Sequence, residues 1–185
     1  MKESIELNYC LNMPLFGQHF EDGEWPQNVL VAEKGADYWG ESICGLACLR
    51  MIMGHFQIPV VSPYELLVEG IRLNAYCEKG WIHQGLANIA SKYGLKAVPL
   101  AIKDGEALEE LLSKKGPVIV SVTGQLPEDG RKGGHLIVAC GRYQENGIQM
   151  IAFRDPSRWG KTNSNVSEKR FLSSFTGRGI VFEKY

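Results

Sequence analysis

The chain has 185 residues, 44% of them hydrophobic, which is enough to fill one core and makes a single domain over residues 1–185 the simplest organisation. Twenty Lys and Arg against 21 Asp and Glu give a formal net charge of -1, excluding the basic footprint that nucleic acid or an anionic membrane demands. The start, MKESIELNYCLNMPLFG, is interrupted by Lys2, Glu3, Glu6 and Asn8, so it offers neither a signal-peptide core nor a membrane span, and a cytoplasmic location is expected.

Residues 17–43 are the least regular stretch and read as loops with at most a short strand around Val29–Ala32. From Cys44 to Phe56 apolar residues cover nearly every face, with Arg50 the only charge, which predicts a helix buried all round. Ser62, Pro63 and Glu65 form a helix start, with a hydroxyl cap, a proline in the first turn and an acid three residues after the cap; this helix should reach about Leu73. After a turn at Glu78–Gly80, Leu86, Ile89, Ala90 and Tyr93 mark a further helix that Gly94 stops, and LKAVPLAI reads as a short strand. Asp104 caps the next helix, EALEELLSKK, which Gly116 ends.

The period then changes. PVIVSVT, HLIVACGRY and IQMIAFRD are strand-like, the last two joined through Glu145, Asn146 and Gly147 as a hairpin. SEKRFLSSF reads as a short helix capped by Ser167, and GIVFEKY as a closing edge strand. Helices first and an antiparallel sheet second is the segregated order of an α+β fold.

Five cysteines (Cys10, Cys44, Cys48, Cys77 and Cys140) are an odd number without paired spacing, so they read as reduced thiols, four of them small core residues. Cys44 and Cys48 are one helical turn apart, yet their apolar helix supplies no further ligand, so no metal site is expected. No nucleotide-binding glycine loop, EF-hand loop or zinc signature is present, and no cofactor is expected.

Cys44 stands at the head of its helix, where the positive end of the dipole favours the thiolate, the nucleophilic form. A cysteine nucleophile needs a base within hydrogen-bond reach and a third group to orient that base. His135 suits the base: it opens an apolar strand and follows Gly133 and Gly134, whose bare backbone lets a substrate come close. Asp155 lies 20 residues on. In a hairpin turning near residues 145–147, the start of the first strand and the end of the second are neighbours, so Asp155 can reach His135. His83 is a spare base candidate, and His19 and His55 have no comparable context.

The order Cys44-Gly45, then Gly134-His135 before an apolar strand, then Asp155-Pro156 resembles the papain-like family thirty-nine of the cysteine peptidases, the bacteriocin leader-processing group and its stand-alone relatives. LNMPLFGQ is similar to their opening LNVPxxxQ pattern, and GWIHQGLANIASKYGLKA to the helix and strand that precede their sheet, so the resemblance covers roughly residues 11–158. It implies a papain-like α+β fold, Cys44 as nucleophile, His135 as general base and acid, and Asp155 as the orienting residue. The sequence departs from the pattern six residues before the nucleophile, where many relatives have a glutamine and this chain has Tyr38. Gln18, from the opening motif, is the candidate oxyanion donor in its place, with the backbone N–H of Cys44 as the second donor.

Trp39, Trp81 and Trp159 are candidates to line a substrate groove together with Gly134. Arg154 and Arg158 flank Asp155 and read as solvated charges. The expected substrate is a peptide or an acyl thioester, in the second case carried on a carrier protein. Water as acceptor gives a peptidase or amidase; an amine gives a biosynthetic amide-forming acyltransferase. An inactive binding module on the same fold is the third alternative.

Overall fold

A computed structural model describes residues 12–185; Cys10 lies outside them. A short helix, α1 (Ala36–Gly40), leads almost directly into α2 (Cys44–His55), and α3 (Pro63–Arg72) follows. A two-residue hairpin, β1 (Tyr76–Cys77) with β2 (Gly80–Trp81), precedes α4 (His83–Lys92). Next come β3 (Leu95–Ala101), α5 (Gly105–Lys115), β4 (Val118–Val122), β5 (His135–Glu145) and β6 (Ile148–Arg154). A 3₁₀ turn (Arg158–Lys161), β7 (Asn165–Ser167), α6 (Glu168–Ser174) and β8 (Arg178–Lys184) complete the chain.

Helix ends follow the local chemistry. Ser62 accepts a hydrogen bond from the Glu65 N–H at 3.1 Å, Asp104 from Ala107 at 2.9 Å, and Ser167 from Arg170 at 3.3 Å, each satisfying a first-turn donor that has no partner inside the helix. Gly116 ends α5 at φ +88°, in the left-handed region that a Cβ disfavours.

Six strands form one antiparallel sheet in the order β3-β8-β4-β5-β6-β7. The closing strand is therefore interior, paired with β3 on one side and β4 on the other, not the edge strand expected from its terminal position. Ile180, Val181 and Phe182 explain this: both faces of β8 are buried, and an edge would leave one line of its backbone groups open. The expected β5–β6 hairpin turns through Asn146 and Gly147, both at positive φ, while Glu145 stays in β5 opposite Ile148 and so lies outside the turn. A bulge at Cys140 shifts the register toward the far end. In residues 17–43, the expected strand at Val29–Ala32 reduces to a single bridge between Val31 and Lys34, and α1 stands where only loop was expected.

Alternation along the strands divides the core in two. Ile119, Leu136, Val138, Ile180 and Phe182 meet α2, α3 and α4 on one face, while Val118, Val120, Ile137, Ala139 and Phe153 meet α5 and α6 on the other. Leu46, Leu49, Met51, Ile52 and Met53 of α2 are all fully buried, each contributing about 1.5–3 kcal/mol of burial. That packing fixes α2 across the sheet with its N-terminus beside the start of β5. Among the described residues, no helix is long and apolar enough to cross a membrane.

Candidate active site

Cys44 is the first residue of α2 and half-buried, whereas residues Gly45 to Leu49 behind it are buried. Gly45 follows the thiol for a packing reason. A Cβ there would come within 3.0–3.1 Å of Trp81, Leu136 and Leu86, so only glycine lets the helix start sit this close to the strand that carries the histidine.

His135 is the first residue of β5, and its Nε2 lies 2.8 Å from Oδ1 of Asp155, just past the end of β6. Asp155 is 1% exposed, and the same Oδ1 accepts from the Ser157 N–H at 2.8 Å. Burial works against the charged carboxylate, but His135 and the Ser157 N–H outweigh it and hold the Asp155 pKa below its ordinary value. An ionised carboxylate only accepts, so Nε2 carries a proton and Nδ1 is the ring nitrogen left free on the side of the cavity that His135 shares with Cys44. Burial also opposes a charged imidazole at His135; the hydrogen bond to Asp155, with the nearby Cys44 sulfur, overrides it and raises the pKa to about 10. Cys44 and His135 thus share one cavity and Asp155 backs the ring, a chain of groups in the order thiol, imidazole, carboxylate.

Gln18 is brought in from outside this chain. Its backbone N–H donates to the Pro156 carbonyl at 2.9 Å, and its side-chain Nε2 donates to the Gly40 carbonyl at 3.2 Å. The side chain is 5% exposed and shares a cavity wall with Gly134 and His135. The Gly40 contact uses one of the two amide hydrogens. Next to it, His19 Nε2 lies 2.8 Å from Glu41 Oε1, a second tie between this segment and the residues just before Cys44. Tyr38, at the position where the family pattern has glutamine, is 44% exposed and turns its phenol to that of Tyr76, 3.5 Å away.

Two cavities meet at Gly134 and His135. One holds Cys44, Ser42, Tyr76, Trp81 and His83; the other is walled by Gln18, Thr123, Gln125 and Ser157. Gly134, at φ +92°, has no atom within 4 Å of where a Cβ would sit, so the junction is open backbone. His83 lines the first cavity, but burial, with Arg178 nearby, lowers its pKa, and among the described residues no carboxylate hydrogen-bonds it.

The tryptophans separate. Trp81 lines the cavity of Cys44 while only 8% exposed. Trp39 does not reach a groove: it is 2% exposed, and its indole donates to the Val31 carbonyl at 2.9 Å, because the loop of residues 17–43 folds over it. Trp159 stacks on Phe153 at 5.7 Å with the Arg170 guanidinium over its ring, as packing for the far core rather than a cavity wall. Tyr76 and Ser42 line the site although nothing in the sequence marked them; a two-residue hairpin carries too short a pattern to read.

Cys48, one turn below Cys44, donates its thiol to the Leu136 carbonyl at 3.3 Å and is fully buried. Burial, with the charges of Cys44 and Asp155, pushes its pKa well up, so it stays a thiol.

Comparison with known proteins places this geometry. The model of the Peptidase C39 family matches residues 40–185, a span that includes Cys44, His135 and Asp155. The chain belongs to the Peptidase C39 family. No curated protein is significantly similar to this family member. Among solved structures, the peptidase domain of Streptococcus ComA, a bifunctional ABC transporter of a quorum-sensing pathway, is similar at 24% identity and a TM-score of 0.58, with 77% of this chain and 91% of that one covered. A C39-like peptidase from Bacillus anthracis is similar at 17% identity and a TM-score of 0.60, covering 96% and 98%. A double-glycine-motif protease from an AMS/PCAT transporter, solved with its leader peptide, is similar at 16% identity and a TM-score of 0.53, covering 97% of each chain. These likenesses establish a papain-like C39 peptidase fold. Gln18 precedes the matched span, so its place in this C39 site comes from the geometry alone.

Proposed function

We propose that this chain is a cysteine peptidase-type acyl-transfer enzyme acting on a peptide or acyl-thioester bond, with Cys44, His135 and Asp155 as its triad. The observation that carries the reading is the 2.8 Å pair of His135 with buried Asp155, on an imidazole that lines the same cavity as Cys44. The Cys44 thiolate attacks the substrate carbonyl, and the oxyanion is met by the Cys44 N–H at the helix start and by the free N–H of Gln18. As the tetrahedral adduct collapses, the imidazolium of His135 gives its proton to the leaving amine or thiol, and a thioester remains on Cys44. Water then attacks the thioester with neutral His135 taking its proton; the acid departs and the thiolate–imidazolium pair is restored.

The second cavity supports a further reading. Gln18, Thr123, Gln125 and Ser157 bring no charge and no large apolar group to the far side of His135, a setting suited to a leaving chain or an incoming amine. An amine in place of water turns the same thioester into an amide, which makes the chain an acyltransferase; a carrier protein is one source of the acyl group.

The test is intact-protein mass spectrometry after mixing the wild type and Cys44→Ala with an activated acyl thioester, with and without a panel of amines. The expected result is an acyl adduct on the wild type alone, released as acid by water or as amide by an amine. An adduct of equal size on Cys44→Ala would sink the assignment, and a wild type that never acylates would make the chain a binding module.

A further inference from the structure

The entry to α2 is built differently from those of α3, α5 and α6. Those three begin with a serine or aspartate whose oxygen accepts from a first-turn N–H. Before α2 stands Ile43, with no side-chain cap and with φ -94° and ψ 26°, away from the extended conformation usual for a cap. In the other three helices the cap accepts from the N–H three residues on, a hold that the start of α2 lacks. Something else must hold the helix start in place.

The contacts around Ser42 show what does. The N–H groups of Ser42 and Ile43 both donate to the Trp39 carbonyl, at 2.8 and 2.9 Å, and the Ser42 hydroxyl donates to the Tyr38 carbonyl at 2.9 Å. The Ser42 carbonyl, pointing the other way, accepts from the indole N–H of Trp81 at 2.8 Å. Trp81 is itself wedged: a Cβ on Gly45 would come within 3.0 Å of its Cγ, one on Gly70 within 2.7 Å of its Cζ3, and the Tyr76 ring lies 5.1 Å away. The ring cannot shift without moving α2, α3 and the β1–β2 hairpin together. The Ser42–Ile43 peptide is thus held at both its carbonyl and its N–H, and the next N–H along the chain is that of Cys44, whose own peptide carbonyl, on Ile43, accepts from the Ala47 N–H at 3.0 Å.

We propose that Trp81 is the positioning residue of the oxyanion hole: its indole N–H orients the Ser42 peptide, and through it the backbone N–H of Cys44, toward the substrate carbonyl. The proposal rests on the reading of Cys44 as the nucleophile. Trp81 itself touches no reacting atom in this role.

The test replaces Trp81 with 3-benzothienylalanine, which keeps the shape and exchanges the N–H for sulfur, beside Trp81→Phe as a genetically simple second variant. The benzothienyl protein is expected to melt at the wild-type temperature and bind substrate with KM within about twofold, while kcat for an acyl thioester falls about 10- to 100-fold. Alkylation of Cys44 by iodoacetamide, a displacement that forms no oxyanion, should change less than about threefold. An unchanged kcat, or a raised KM with kcat intact, would overturn the proposal and leave Trp81 as a wall of the cavity only. The amide resonance of Cys44 in a ¹⁵N-cysteine-labelled sample gives a readout independent of turnover. It should move in the benzothienyl variant, and an unmoved resonance counts against Trp81 even if the wild type shows no acyl transfer, whereas absent acyl transfer alone counts against the nucleophile reading.

Discussion

The two halves of the site are held by different means. On one side, His135 and Asp155 come from a single hairpin, whose backbone ladder brings two residues 20 apart in sequence into a 2.8 Å contact. On the other, Cys44, Gln18, Gly40 and Trp81 come from four separate segments joined by side-chain and loop hydrogen bonds, with no strand pairing between them. The difference teaches that, in the proposed mechanism, the groups moving protons share one strand pair, whereas the groups assigned to the oxyanion depend on tertiary contacts between segments. Damage to the hairpin half should disable proton transfer; damage to the other half should lower kcat with the thiol still reactive.

The largest effect belongs to the atom both halves serve. Cys44→Ala should remove turnover by a factor on the order of 10⁵–10⁶ and abolish the acyl adduct, read by steady-state rates and mass spectrometry. Asp155→Asn tests the hairpin half: a neutral amide no longer enforces the ring orientation, and kcat should fall about 10²- to 10⁴-fold with the fold retained by circular dichroism. Gln18→Ala tests the assembled half and should cost about 10²- to 10³-fold in kcat, with KM little changed. A loss under about threefold would leave the Cys44 amide as the working donor and remove Gln18 from the comparison.

The pH response separates the halves again. His135 is raised from 6.5 to about 10, so its contribution to stability is complete below about 6.5 and is lost as pH rises through about 10. Asp155 is lowered from 3.8, so its contribution is present above that value and fades as pH falls through the lowered one. Activity should accordingly persist until an alkaline limb near 10, where His135 loses the proton it gives to the leaving group, and Asp155→Asn should draw that limb toward neutrality while Gln18→Ala leaves it in place. Rate profiles of the three proteins decide this. The smallest effect lies outside both halves: Ser62→Ala removes the cap of α3 and should cost about 1 kcal/mol in denaturant unfolding with kcat unchanged.

Much of the hairpin half was legible because its rules are short-range. Asn146-Gly147 marks the turn, the β-branched runs mark the strands, and antiparallel pairing then places position 135 beside position 155. The caps at Ser62, Asp104 and Ser167 were readable for the same reason. Tryptophan roles were not. Trp39, Trp81 and Trp159 look alike in sequence, yet one is sealed under a loop, one forms a cavity wall, and one stacks in the far core. The place of β8 was equally hidden, since terminal position says nothing about which strands a segment will pair with.

By itself the sequence determined the chemistry available: a thiol at a helix start, a histidine after two glycines, an aspartate at the return of a hairpin, and a glutamine 26 residues before the thiol. Only the tertiary structure decided which amides lie near the thiol and so are proposed to meet the substrate. The bridge from Gln18 to Gly40 and the grip of Trp81 on Ser42 each join segments more than 20 residues apart, and such contacts exist only once the core has fixed where α2 and the hairpin lie. Local propensity acts over a few residues, while the proposed oxyanion site depends on contacts between segments far apart in the chain.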